Sequence, residues 1–150
     1  MACFGWFSND DDEGGHVCVG TEPSFDLYFN SPYVYCLNET TFKPFLDTKD
    51  VALVLFYKPG QIDNKYCKAQ FRKAAKTTQR ANHAFAAVNC WQEQHLCKSQ
   101  DAFVYPYYRM YSRGRRIGYN DTPRTFTHKE MKKWLESVNV YDEKGVKVPN

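Results

Sequence analysis

No stretch of this 150-residue chain approaches the run of about 18 apolar residues that a membrane-spanning helix requires. The opening segment, MACFGWFSNDDDEGGH, has neither the basic start nor the apolar core of a secretion signal. There is no internal repeat period and no heptad run, which excludes solenoids and coiled coils. Cys-x-x-Cys is absent, and the histidines at 16, 83, 95 and 128 are scattered, so the cysteines fit no zinc pattern. A long basic block is missing too. The formal charge of +3 therefore gives no reason to expect nucleic acid or a membrane surface as partner. Neither a metal nor a cofactor is expected.

What is present is a composition able to bury a core. The chain is 43% hydrophobic and carries 11 Tyr, 11 Phe and 3 Trp, enough for one ordinary domain. Six cysteines, at 3, 18, 36, 67, 90 and 97, are many for a reducing compartment. Two sequons, Asn38-Glu39-Thr40 and Asn120-Asp121-Thr122, make Asn38 and Asn120 candidates for N-glycosylation. Both features point to the secretory pathway, and a chain that is a fragment of a longer one reconciles them with the missing signal.

Residues 1–22, rich in Asp, Gly and Asn, read as a flexible leader, 23–140 as the domain, and 141–150 as a C-terminal tail. Tyr33–Leu37 has strand character, and Asn38 or Thr40 caps a short helix that Pro44 confines to its first turns. Val51–Tyr57 is a continuous apolar run, as expected of a strand buried on both faces, and Pro59-Gly60 ends it. From Asn64 to Arg80 the spacing of Cys67, Phe71, Ala74, Ala75 and Thr78 predicts one helical face. Lys65, Lys68, Arg72, Lys73 and Lys76 take the other face, read as solvated. Phe85–Cys90 is the next strand and Glu93–Gln100 a short helix. Tyr107–Tyr111 and Arg115–Tyr119 form a hairpin around Ser112-Arg113-Gly114. Thr127-His128-Lys129-Glu130 is a capping box opening a last helix with Met131, Trp134, Leu135 and Val138 inward. The order β-α-β-α-β-α-β-β-α is an α/β sandwich.

That order, with Phe56-Tyr57-Lys58-Pro59, Tyr105-Pro106, and Val88-Asn89-Cys90 with Cys97, resembles the thioredoxin fold as used by protein disulfide isomerases of the endoplasmic reticulum. The resemblance covers about residues 30 to 140 and implies a central mixed sheet flanked by helices. It implies that Pro106 follows a cis peptide bond and that Cys90 and Cys97 form a structural disulfide, an exposed redox pair being the alternative. Counting back from Phe71 and Ala74-Ala75 puts Gln61 and Asn64 at the two active-site thiol positions. Neither can form a thiolate. The carboxylate that the family often buries two residues before the Tyr is Leu55 here, and Arg124 lies one residue out of register with an assisting arginine.

The resemblance thus implies a redox-inactive module with no catalytic residue, whose groove of Tyr57, Gly60, Gln61, Asn64, Tyr105 and Pro106 holds an extended client or partner protein. Similar non-catalytic members are lumenal and membrane-tethered, and their clients include membrane oxidases. The alternative is a weak thiol-disulfide oxidoreductase or isomerase using Cys67 or the Cys90/Cys97 pair. Cys67 is expected to be a buried free thiol, Cys36 to be buried, and Cys3 and Cys18 to pair with each other, with Cys36 or with another chain. Arg113, Arg115 and Arg116, at the hairpin tip, read as solvated, with an acidic partner as the second reading.

Overall fold

A computed structural model describes residues 18–60, 65–120, 122 and 125–150. In chain order the elements are β1 (Ser24–Phe25), β2 (Val34–Cys36), α1 (Phe42–Asp47), β3 (Val51–Tyr57), α2 (Lys65–Thr77), β4 (His83–Asn89), α3 (Gln94–Ser99), β5 (Tyr107–Ser112), β6 (Arg115–Asn120) and α4 (His128–Ser137). They build one mixed sheet in the order β1-β2-β4-β3-β5-β6. β2, β4 and β3 run parallel, while β1, β5 and β6 join antiparallel. The expected α/β sandwich is what forms, with the two-residue β1 as the added element.

β3 is central because every one of its residues is apolar and buried. Alternation splits it between two cores. Val51, Leu53, Leu55 and Tyr57 face α2 and α4, where Phe71, Ala74, Met131 and Leu135 meet them. Ala52, Val54 and Phe56 face α1 and α3, against Phe42, Leu46, Leu96 and Cys97. The stripe on α2 is buried throughout, from Cys67 to Thr78.

Local signals set the ends of the elements. Thr127 caps α4 by accepting from the Glu130 amide, and Glu130 returns the bond to Thr127, the full capping box. Ahead of α1, Asn38 Oδ1 accepts the amides of Thr40 and Thr41, both at 2.9 Å, so Asn38 rather than Thr40 organises that turn. Pro44 is tolerated because it stands in the first turn of α1. β6 passes close to α4 at Gly118, where a Cβ would lie 2.8 Å from the Trp134 ring.

The cysteines resolve differently from expectation at one position. Cys18 is bonded to Cys36, with Cα atoms 5.8 Å apart, which ties residues 18–22 to β2. Cys67 is buried as its helical face requires, but it is a half-cystine and not a free thiol. Helical periodicity only reports which way the sulfur points, and a buried thiol and a buried disulfide point alike. Among residues 141–150, Tyr141 bridges to Lys147, and Asn150 accepts from Arg80.

Candidate functional site

Three segments meet at one end of the sheet because of strand register. β3 and β4 are parallel with Tyr57 opposite Asn89, and β5 begins opposite Phe56 at Tyr107. The carboxyl ends of β3 and β4 and the start of β5 therefore share an edge, the usual place for a site in such sheets. The Cys90 amide donates to Tyr57 O at 2.7 Å and locks the two strand ends together. Gly60 closes the turn after β3 with φ +88°, a left-handed value that disfavours a side chain. The Tyr105–Pro106 peptide is cis. Gln61, Asn64 and Arg124 lie outside the described residues.

The predicted groove residues do not all face solvent. Gly60 is exposed and Tyr105 half-buried, but Pro106 is buried. Tyr57 points into the α2/α4 core with no exposure at all, because the alternation of β3 places it on that face. Its ring stacks on Tyr28 at 4.8 Å and meets Phe29 edge-on at 5.4 Å. Tyr57 thus supports the site from below and does not line it. The exposed apolar surface comes from residues that the spacing did not single out for the groove. Trp91 (55% exposed) follows β4, and Phe103 (64%) and Val104 (72%) lead into Tyr105-Pro106.

Beneath the site is a carboxylate that the sequence reading missed. Asp26, in the turn after β1, is 1% exposed. Its Oδ1 accepts the Tyr28 amide at 2.8 Å, while Oδ2 and the Tyr57 hydroxyl have no hydrogen-bond partner among the described residues. Burial pushes the Asp26 carboxyl up to about 7, against the lesser opposing pull of the Tyr28 and Phe29 amides, Tyr57 and Lys68. Burial, with Asp26 beside it, raises Tyr57 well above the usual phenol range. Lys68 reaches in from α2 and lies 4.1 Å from the Tyr28 ring centroid. The position expected to carry a carboxylate, Leu55, is fully buried and apolar. The signal for Asp26 was an acid within the apolar run Ser24-Phe25-Asp26-Leu27-Tyr28-Phe29.

Cys90 and Cys97 are bonded across the start of α3, with Cα atoms 5.8 Å apart and both residues fully buried. The hairpin arginines are partly used inside the domain: Arg113 pairs with Asp50 at 2.8 Å and Arg116 with Asp101 at 2.7 Å. Arg115 is exposed. Asn38 also donates to Gly20 O, and Asn120, at the end of β6, accepts the Thr122 amide at 3.1 Å. No cluster of metal-ligating side chains exists among the described residues. Nor is any helix there long and apolar enough to cross a membrane.

The fold as a whole matches known structures. The first thioredoxin domain of mouse protein disulfide-isomerase A4 superimposes with TM-score 0.61 at 22% identity, over 87% of this chain and 83% of that one. The chain has a thioredoxin-like fold. The zinc-bound form of human ERp44 gives TM-score 0.59 at 20% identity, over 67% of this chain and 28% of that one. In sequence, 81 residues are 32% identical to a protein disulfide-isomerase of Arthroderma benhamiae, covering 54% of this chain. The chain spans only 16% of the length of that curated relative. No protein-family model matches the chain. Together these make it a thioredoxin-like domain akin to those of protein disulfide isomerases.

Proposed function

We propose that this domain is a redox-inactive binding module of the endoplasmic reticulum lumen that holds client or partner proteins as chaperone or scaffold. The observation that carries the reading is the exposure of Trp91, just after β4, and of Phe103 and Val104, just ahead of Pro106, at the end of the sheet where the family places its dithiol. There the thiol positions are Gln61 and Asn64. An apolar surface on a rigid strand end suits capture of an extended, unfolded segment. The sequence resembles the first thioredoxin-like domain of thioredoxin domain-containing protein 11 in Val88-Asn89-Cys90-Trp91, Cys97-Lys98 and the run Tyr105 to Tyr111. A membrane oxidase is the corresponding client class. In that compartment Asn38 and Asn120 would carry N-glycans.

The second reading, weak thiol-disulfide exchange, draws on the Cys90–Cys97 bond. Burial of both sulfurs opposes it, because an attacking thiolate must reach them. An insulin-reduction assay separates the two readings. The expected rate is background, unchanged in Cys67→Ser and in Cys90→Ala/Cys97→Ala. In parallel, the domain should slow aggregation of a reduced client, and Trp91→Ser/Phe103→Ser should lose at least about half of that effect. Reductase activity that vanishes with either cysteine variant would overturn the binding reading.

A further inference from the structure

Two cations of the hairpin are paired within the domain, and two beside the site meet rings instead. Arg113 meets Asp50 and Arg116 meets Asp101. Arg109 meets no carboxylate among the described residues. Its guanidinium carbon lies 5.1 Å from the Tyr107 ring centroid, and Nε donates to the Tyr107 hydroxyl at 3.1 Å, with Nη2 donating to the same oxygen. Lys58 likewise rests on a ring, 5.0 Å from the centroid of Tyr105. Aromatic faces hold both cations in place without neutralising them, and Arg109 Nη1 has no acceptor among the described residues.

The surroundings form a strip. Arg109 stands opposite Tyr119 in the β5–β6 register, and the Tyr107 and Tyr119 rings are 6.4 Å apart. Tyr119 is 58% exposed. Tyr107 begins β5 immediately after Pro106, so the strip is continuous with the proposed client groove. β6 is the terminal strand of the sheet, and its outer backbone groups have no partner among the described residues. An edge strand of this kind is a template for one more strand. A peptide laid along it presents alternate side chains to the same face, roughly 7 Å apart, the face that carries Tyr119 and Arg109.

We propose that this strip, Lys58–Tyr105 and Tyr107–Arg109–Tyr119 beside the β6 edge, takes an extended acidic segment of a partner protein. Its carboxylates pair with Lys58 and the free edge of Arg109, and its backbone pairs with β6. The proposal rests on the peptide-binding reading and narrows it to acidic segments. The choice of occupant follows from charge: the strip offers the two cations Lys58 and Arg109, and Asp101 beside it is already engaged by Arg116. A fixed guanidinium fork recognises carboxylates better than it does any neutral group.

The test uses the intact chain and two fluorescein-labelled peptides, one with Glu at alternate positions among Val and Tyr, the other with each Glu replaced by Gln. Fluorescence anisotropy should give about tenfold tighter binding of the Glu peptide at about 50 mM salt, shrinking towards parity at about 500 mM. Arg109→Gln and Lys58→Gln should each remove about threefold of that preference, with melting temperatures within a degree or so of wild type. Tyr119→Ser, on the exposed side of the strip, should weaken both peptides alike and guards against a misfolded arginine variant. Equal binding of the two peptides overturns the acidic-segment proposal and leaves the client-groove reading standing. A preference that survives the combined Arg109→Gln/Lys58→Gln change also overturns it. Failure of both peptides to bind overturns the proposal and the client-groove reading together. A concentration-dependent dimer that excludes the peptides assigns the edge to a second copy and overturns the partner assignment.

Discussion

The two faces of the sheet fill their cores in opposite ways. Against α2 and α4 the packing is aromatic and large: Phe29, Phe71, Phe85, Tyr108 and Phe126 touch ring to ring, with centroids 4.9 to 6.0 Å apart. Against α1 and α3 the strands present mostly small residues, Ala52, Val54, Ala84, Ala86 and Val88, beside the rings of Phe56 and Tyr111, and the helices are six residues each. Short helices on small residues bury little area, and there the Cys90–Cys97 bond supplies covalent closure. Polar groups divide the same way. Tyr111, on the α1/α3 side, donates to Gln100 Oε1 at 2.7 Å. The hydroxyls of Tyr57 and Tyr108 and one oxygen of Asp26, on the α2/α4 side, have no partner among the described residues. The α1/α3 face carries the Cys90–Cys97 bond, whereas the α2/α4 face, which buries the half-cystine Cys67, holds desolvated groups under the site.

The sharpest way to break this contrast is to remove an aromatic from the larger face. Phe71→Ala empties space between Phe29, Phe85 and Tyr108 and should cost about 3–5 kcal/mol in urea unfolding. On the other face the covalent link is the feature to remove. Cys90→Ala/Cys97→Ala opens a short loop and should cost about 2.5 kcal/mol, less whatever strain the bond carries. If the disulfide variant proves the costlier of the two, the ring cluster around Phe71 is not the stronger of the two contributions.

The same division explains what could be read in advance. β3, the α2 stripe and the Thr127 capping box are local patterns, and each folds as its own residues dictate. Asp26 was hidden because its environment is assembled partly at long range: β1 is two residues long, and besides the local Tyr28 and Phe29 amides the groups around the carboxylate come from β3 and α2. The inward turn of Tyr57 was available from strand alternation, but family position suggested a groove residue and prevailed. Cys67 pointed where its helix required, and its bond could not be known, since cysteine connectivity is a property of the fold and not of spacing. Arg113 and Arg116 looked solvated because their acids, Asp50 and Asp101, are remote in sequence. What was legible was local, and what was not depended on chain crossings.

The smallest effect tests the least ordinary group. Asp26 has its carboxyl raised from 3.8 to about 7, so the folded state holds its proton more tightly than the unfolded chain does. The sign follows from linkage: the stabilisation is complete below the unfolded value and is lost as pH rises through 7. The domain should therefore be more stable at about pH 6 than at about pH 8 by roughly 1.5 kcal/mol from this group alone. His128 works in the opposite direction at the acid end of this window, since burial and neighbouring lysines lower its pKa. The decisive quantity is thus the difference between wild type and Asp26→Asn, measured by urea unfolding at each pH. Asn keeps the volume and the acceptor for the Tyr28 amide but does not titrate, so the variant should lose the slope and gain stability at the alkaline end. Parallel pH profiles for the two proteins would mean that Asp26 is ionised in the folded state, with water or Lys68 neutralising it, and the α2/α4 face would then be satisfied as fully as its opposite.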